Sequence, residues 1–265
     1  MLIIGEKLNS AIPSVRQVFN AKDVEAVKGL AVNQTQAGAD YLDLNTAQGE
    51  ELADMTWLVR TVQAAVDTPL CLDSTDAAVL KQGLDSYVGD KSKVMLNSVS
   101  LEKKRLEAVL PLALEYQCPL IALTLDDNGI PKTAEQRIQL AEQLVNILVQ
   151  KNYDLNKLYI DPLVLPLAVS HTNAVMFFQC LSEIKRLFKV KTVSGLSNIS
   201  YDMPKRKVIN RHFLTICMAQ GMDAAILDPL DAKIMTSVTT NNLLLGNDRF
   251  SRNFLKAFRN DSLVD

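Results

Sequence analysis

Cysteine, histidine and tryptophan are scarce in this 265-residue chain, at four, two and one respectively. Cys71, Cys118, Cys180 and Cys217 lie far apart and make no C-x-x-C pair, so zinc-ribbon and dithiol redox motifs are unsupported. They read as buried free thiols in a reducing compartment, which makes the cytoplasm the expected location. His171 and His212 are too few and too scattered to build a metal site. His171 reads as a residue beside a helix start, and His212 and the lone Trp57 as residues within helices. No apolar run approaches the roughly 18 residues of a membrane-spanning helix. Formal charge is nearly balanced, at −2. A nucleic-acid footprint and a polybasic membrane signal are therefore both missing. No long run of like charge marks a disordered tail. No G-x-G-x-x-G follows the first strand, which counts against an open dinucleotide-binding sheet. Met1 to Ser10 lacks a basic leader and carries Glu6 and Lys7 inside its apolar stretch, so it reads as a buried strand rather than a signal peptide.

What is present is a repeat. Short apolar runs, each followed by a segment of helical pattern, recur at even spacing: Leu2 to Leu8, Tyr41 to Leu44, Leu70 to Leu72, Val94 to Leu96, Leu120 to Leu125, Leu158 to Ile160, Lys191 to Ser194 and Ala224 to Leu227. The helices between them are predicted near 23–37, 54–66, 77–84, 101–116, 133–150, 173–188, 205–220 and 231–244. Pro13 reads as part of a loop, Thr133 to Gln136 as a capping box, and Asn247 to Arg259 as an extra terminal helix. Eight strand–helix pairs with short connections predict a TIM (β/α)8 barrel. The length suits one such barrel of about 250 residues, so residues 1–265 are expected to form a single domain.

The strand endings propose the chemistry. Asn9, Asn45, Asp73, Asn97, Asp126, Asp161, Asn198 and Asp228 each follow an apolar run, and a barrel gathers strand C-termini on one face, where active sites sit. Carboxylates accept N–H bonds while Asn donates and accepts at once, so Asp73, Asn97 and Asp161 suit a flat heterocycle such as an aminopyrimidinone. A strand-end Asp also serves as a helix cap, a reading of equal weight at any single position. Asn198 lies in Gly195-Leu196-Ser197-Asn198-Ile199-Ser200. Glycine there permits close approach of a ligand to the backbone. A left-handed turn at Asn198 and a phosphate site using Lys205 and Arg206 stay open beside it. Glu6 and Lys7 are expected to pair at the barrel mouth.

Six segments occur in order: Ile4 to Asn9, Asp43-Leu44-Asn45, Leu72 to Thr75, Leu96 to Ser100, Ile160-Asp161-Pro162 and Gly195 to Ser200. Together they resemble the pterin-binding methyltransferases that act with corrinoid proteins, among them the methyltetrahydrofolate:corrinoid/iron–sulfur protein methyltransferases and the folate domain of cobalamin-dependent methionine synthase. The resemblance covers nearly the whole chain, and Asp126 to Lys132 resembles the family's loop after strand five, with Asp127 where relatives often carry Glu. It implies that Asp73, Asn97 and Asp161 anchor the pterin, that Asn198 approaches N5, and that Arg206 lies near the bound folate. Glu6, Asn9, Asp43, Asn45, Ser98, Asp126 and Ser197 are expected around that set. It further implies tetrahydrofolate or methyltetrahydrofolate as substrate, no tightly bound cofactor, and a homodimer. The corrinoid-binding Asp-x-His-x-x-Gly pattern is missing, so cobalamin is expected on a separate corrinoid protein that docks transiently at the C-terminal face of the barrel. Dihydropteroate synthases share the barrel and the pterin pocket, but their basic phosphate-site pattern is not evident, and they stand second. A non-catalytic pterin-binding barrel stands third.

These readings carry a metal test. Methyl transfer by this chain with an intact corrinoid partner should survive exhaustive chelation, because the sequence lacks a zinc-ligand grouping. Activity that disappears on chelation and returns only with zinc would reveal a site this reading does not contain.

Overall fold

The computed structural model describes residues 1–264. Its strands are β1 (Leu2–Asn9), β2 (Tyr41–Asn45), β3 (Leu70–Asp73), β4 (Met95–Val99), β5 (Leu120–Leu123), β6 (Leu158–Asp161), β7 (Lys191–Thr192) and β8 (Ala224–Leu227). They pair in sequence order, all parallel, with β8 beside β1. Between β7 and β8 the barrel closes without a full ladder. Ile226 N donates to Ser194 O at 2.8 Å, Asp223 N donates to Thr192 O at 3.2 Å, and Gly195 bridges Ile226. The strands are apolar on both faces because both are covered, as parallel sheets require. Ile4, Cys71, Met95, Ile121, Tyr159, Val193 and Ala224 cluster inside the barrel. A second, larger layer, including Leu42, Leu44, Leu72 and Leu96, packs outward against the helices.

The helices are α1 (Pro13–Asn20), α2 (Val24–Gln36), α3 (Glu51–Gln63), α4 (Ala77–Ser86), α5 (Lys103–Tyr116), α6 (Ala134–Gln150), α7 (Asn173–Phe188), α8 (Arg206–Ala219), α9 (Ala232–Leu244) and α10 (Arg252–Arg259). Local chemistry sets several starts. Asp23, Asp76, Thr133 and Asp231 each accept a backbone N–H of the following turn. At Thr133 the bond is to Gln136 N at 3.2 Å, as the capping pattern predicts.

Three local expectations need correction. Pro13 opens a helix rather than sitting in a loop: its ring presets φ for the first helical position, and the turn buries Val15 and Phe19. No side-chain cap marks that start, so the sequence carries little signal for it. α3 begins at Glu51, ahead of Asp54, because Asp54 is buried against the Lys22 ammonium rather than serving as a cap. The segment from Asn247 to Arg259 is broken. A 3-10 turn spans Arg249–Ser251, Phe250 and Ser251 take positive φ, and Asp248 accepts Asn253 N and Phe254 N at 3.0 and 2.9 Å.

One buried side chain ties a helix to the rim. Arg137, on α6, is 1% exposed and donates to Pro131 O, Pro162 O and Leu163 O at 3.1, 2.8 and 2.7 Å. It holds the backbone just past Asp161. Arg137→Met would leave three carbonyls without that donor, and each orphaned buried group costs roughly 1–3 kcal/mol. The variant should unfold with about 3 kcal/mol less stability in denaturant titration. A loss below about 1 kcal/mol would show that water replaces the guanidinium.

Candidate active site

Register brings four polar residues of neighbouring strands to one level; three end their strands, while Asn97 sits inside β4, which runs on to Val99. Asn9 pairs with Asn45, Asn45 with Asp73, and Asp73 with Asn97, so β1 to β4 present a row of amides and carboxylates at the C-terminal rim. Asp161 joins from β6, in register with Leu123 of β5. A cavity of about 350 Å³ opens there. Glu6, Asn9, Asp43, Asp73, Asn97, Ser98, Asp161, Ser197 and Asn198 line it, with Leu123 and Ile226 as apolar walls.

Several of these side chains combine turn-making with exposure of a second polar atom. Asp161 Oδ1 accepts Leu163 N at 2.7 Å, Asn9 Oδ1 accepts Ala11 N at 2.8 Å, and Asn45 Oδ1 accepts Ala47 N at 3.1 Å. Asx turns of this kind fix the side chain's direction while its other terminal atom stays available. Asn45 uses that second atom on a neighbour: Nδ2 donates to Asp73 Oδ2 at 2.8 Å. Asn45 therefore supports Asp73 rather than lining the cavity. Asp73 makes no such turn; Ser74 Oγ accepts Asp76 N instead, at 3.0 Å.

Asn198 sits in a single 3-10 turn, Leu196–Ser200, not in the left-handed conformation. Gly195 has an ordinary negative φ. A Cβ there would come within 3.0 Å of Asn198 Nδ2, so the glycine makes room for the Asn198 carboxamide itself. Arg206 does not line the cavity. Its guanidinium donates to Ser197 O at 2.8 Å and to Ser200 Oγ at 3.1 Å, bracing the loop from α8.

The expected Glu6–Lys7 pair does not form. Lys7 Nζ reaches Asp228 Oδ2 at 3.1 Å, across the β1–β8 seam. Glu6 instead accepts the Ser197 hydroxyl, at 2.9 and 3.1 Å to its two oxygens. Asp126 lies apart: its Oδ1 accepts Asn128 N at 2.8 Å in the turn after β5, and it borders a different depression. His212 is exposed on α8, and Trp57 packs edge-on against Phe19 with ring centroids 5.9 Å apart.

One cavity residue had no strand-end signal. Arg105, in the first turn of α5, donates to Ser98 O, Ser98 Oγ and Ser74 O at 2.9, 3.1 and 3.2 Å. It is the one cation lining the cavity among the described residues. Its only sequence signal is its place in the first turn of the helix that follows the Asn97–Ser98 strand.

The cavity is thus acidic. Burial pushes the Asp161 carboxyl up to about 7 against the opposing Leu163 N–H and Arg137 guanidinium. Burial raises Asp73 to about 6, against the Asn45 bond and Arg105. Asp43 lies well above the carboxylate range, first from burial and then from the charge of Asp73; its Oδ1 has no hydrogen-bond partner. Glu6 is raised to about 7, mainly by burial. Among the described residues no His/Cys/Asp/Glu cluster suited to a metal ion is present.

These shifts set a pH dependence. Each raised carboxyl binds its proton more tightly folded than unfolded. The stabilisation is full below the unfolded carboxylate range and is lost as pH rises through the folded value. Stability of the ligand-free protein should therefore fall from about pH 4 to about pH 7. Asp161→Asn should flatten that fall in denaturant melts across the range. An equally steep fall in the variant would show that Asp161 titrates normally.

Residues 6–228 match the family described as pterin binding enzyme. Over 264 residues the chain is 38% identical to the methylcorrinoid:tetrahydrofolate methyltransferase of Eubacterium limosum, covering 98% of this chain and 96% of that one. It is 31% identical over 243 residues to the methionine synthase of Mycobacterium tuberculosis, covering 86% of this chain and 20% of that protein. Among solved structures, dihydropteroate synthase of Xanthomonas albilineans superposes with a TM-score of 0.70 at 16% identity, over 93% of this chain and 92% of that chain. The Yersinia pestis dihydropteroate synthase gives 0.66 at 16%, over 94% and 93%. At that identity the structural likeness speaks for the fold alone. With the family match spanning most of the chain, and the barrel and its polar rim in place, the chain belongs to the pterin-binding enzyme family.

Proposed function

We propose that this protein is a methyltransferase that moves a methyl group between N5 of tetrahydrofolate and the cobalt of a separate corrinoid protein. The observation that carries this is its end-to-end similarity to a methylcorrinoid:tetrahydrofolate methyltransferase. The rim cavity supports it, because its donor and acceptor set suits a pterin edge.

In this reading Asp73, Asn97 and Asp161 anchor the ring. Asp161 and Asp73 protonate near neutrality, and a pterin's amino and ring N–H groups favour their ionised forms. Asn45 and Arg105 hold Asp73 and the β4 end in place. Asn198 meets N5. Arg206 acts through the loop it braces rather than on the ring. Methyl transfer away from N5 needs help, because an unprotonated nitrogen would leave as an anion. A hydrogen bond that strengthens as charge develops on N5 lowers that barrier, and a carboxamide can supply it.

The corrinoid arrives on its own protein, docking over the open rim. Homodimer formation and a cytoplasmic location are further proposals, resting on the family resemblance and on buried free thiols. No described helix is long and apolar enough to cross a membrane.

The direct assay mixes the protein with methyltetrahydrofolate and cob(I)alamin, then follows the growth of methylcobalt absorption. Folate binding without methyl transfer would support the non-catalytic barrel; condensation of a pterin diphosphate with p-aminobenzoate would support the synthase chemistry. Two variants divide the site. Asn198→Ala should lower the single-turnover rate at saturating folate by about 10²-fold, with a smaller loss of affinity. Asp161→Ala should weaken folate binding by roughly tenfold or more. Near-normal turnover by saturated Asn198→Ala would leave that residue a loop-shaping role only.

A further inference from the structure

We infer that Glu6 is the residue that exchanges a proton with N5 during methyl transfer. The inference rests on the methyltransferase reading above and adds the proton's place in it.

Three features of the rim lead there. The first is position. Glu6, from β1, lines the same cavity as Asn198, and its carboxyl accepts the hydroxyl of Ser197, the residue immediately before Asn198. The second is missing charge compensation. Lys7 spends its ammonium on Asp228, and Arg206 spends its guanidinium on Ser197 O and Ser200 Oγ. No described cation makes an ion pair with Glu6. Asp228 faces it from the end of β8 and Asp43 from β2, both acidic. Lys7 and Arg206 act on it only at longer range.

The third is that the other cavity carboxyls are committed. Asp161 is tied to Leu163 N and lies near Arg137. Asp73 is tied to Asn45 and lies near Arg105. Asp43 is only 2% exposed, at the cavity floor. Glu6 alone is held by a neutral hydroxyl of the Asn198 loop, which sets it beside the residue that meets N5. Burial raises its carboxyl to about 7, as it does that of Asp161, where a proton can move either way.

The step balances in both directions. When folate receives the methyl, the N5 lone pair forms the N–C bond. The carbon–cobalt bond breaks with its electron pair left on cobalt, and the N5 proton passes to the Glu6 carboxylate. When folate gives the methyl, the Glu6 acid protonates N5. The C–N pair then stays on nitrogen, and cobalt(I) supplies the pair for the new bond. Ser197 is a positioning residue: its hydroxyl orients the carboxyl and favours the ionised form.

The test is single-turnover kinetics in each direction, from about pH 5.5 to about pH 8.5, with folate affinity measured alongside by calorimetry. In the wild type, transfer onto folate should rise with pH and transfer from folate should fall, the two limbs sharing one midpoint near neutrality. Glu6→Gln should abolish both limbs and slow transfer about 10²-fold, with folate affinity nearly unchanged. Glu6→Asp should restore a limb with a displaced midpoint. Ser197→Ala should move the midpoint up, since it removes the bond that favours the carboxylate. Asp161→Asn should weaken folate binding while keeping both limbs. Intact limbs and rate in Glu6→Gln, an unmoved midpoint in Ser197→Ala, or limbs that vanish in Asp161→Asn instead would each overturn the assignment. If Glu6→Gln does not fold, the Ser197→Ala and Asp161→Asn results decide. A wild type that transfers no methyl in either direction contradicts the methyltransferase reading itself.

Discussion

Gathering carboxyl groups in a half-closed cavity at the end of a parallel barrel is the constraint around which this rim is organised. Glu6, Asp43, Asp73 and Asp161 share a space with Arg105 as its one described cation. Removing charge from water is costly unless it is paired or neutralised. The protein does some of each. Arg105 and Arg137 approach from helices, Asn45 and Leu163 N donate directly, and burial keeps the rest of the charge down by raising the carboxyls toward neutrality. A rim with this composition suits a ligand rich in N–H groups.

The supporting layer explains how such a site stays in place. Asx turns fix Asn9, Asn45 and Asp161 by one atom and leave another available. Asp161 is therefore a turn-former that also lines the cavity, whereas the helices after β3 and β6 start at Asp76 and Thr172 rather than at the strand-end carboxylates. Arginines anchor the intervening backbone. Arg105 holds Ser98 and Ser74, Arg137 holds Pro162 and Leu163, and Arg206 holds Ser197 and Ser200. Each reaches from the first turn of a helix to backbone near a strand end, and Arg137 crosses from α6 to the end of the neighbouring β6. Loss of such an anchor would shift the site without touching a ligand.

The barrel was legible because its signal is repetitive: β8 and α7 were readable to the residue, and most other elements within a few. Where the reading failed, a tertiary contact had overridden local pattern. Asp54 looked like a helix start but is buried against Lys22. Pro13 looked like loop until Val15 and Phe19 supplied a face to bury. β7 shortens to two residues because the chain leaves the ladder to close the barrel through Ser194 and Gly195.

The sequence by itself determined which polar residues fall at or near the strand ends, since strand period and turn chemistry are local properties: Asn9, Asp73 and Asp161 close β1, β3 and β6, Asn97 lies within β4 and Asn198 in the turn after β7. It also determined that Arg206 follows the Asn198 loop. Only the tertiary structure decided which of these groups bear on one another. Lys7 pairs with Asp228 across 221 positions rather than with its neighbour, and Glu6 meets Ser197 across 191. Arg105 enters the cavity from a helix, while Asp126 stays out of it. The reason is that charge balance in a buried space depends on distance and solvent access, and the closed barrel, with β8 beside β1, sets both.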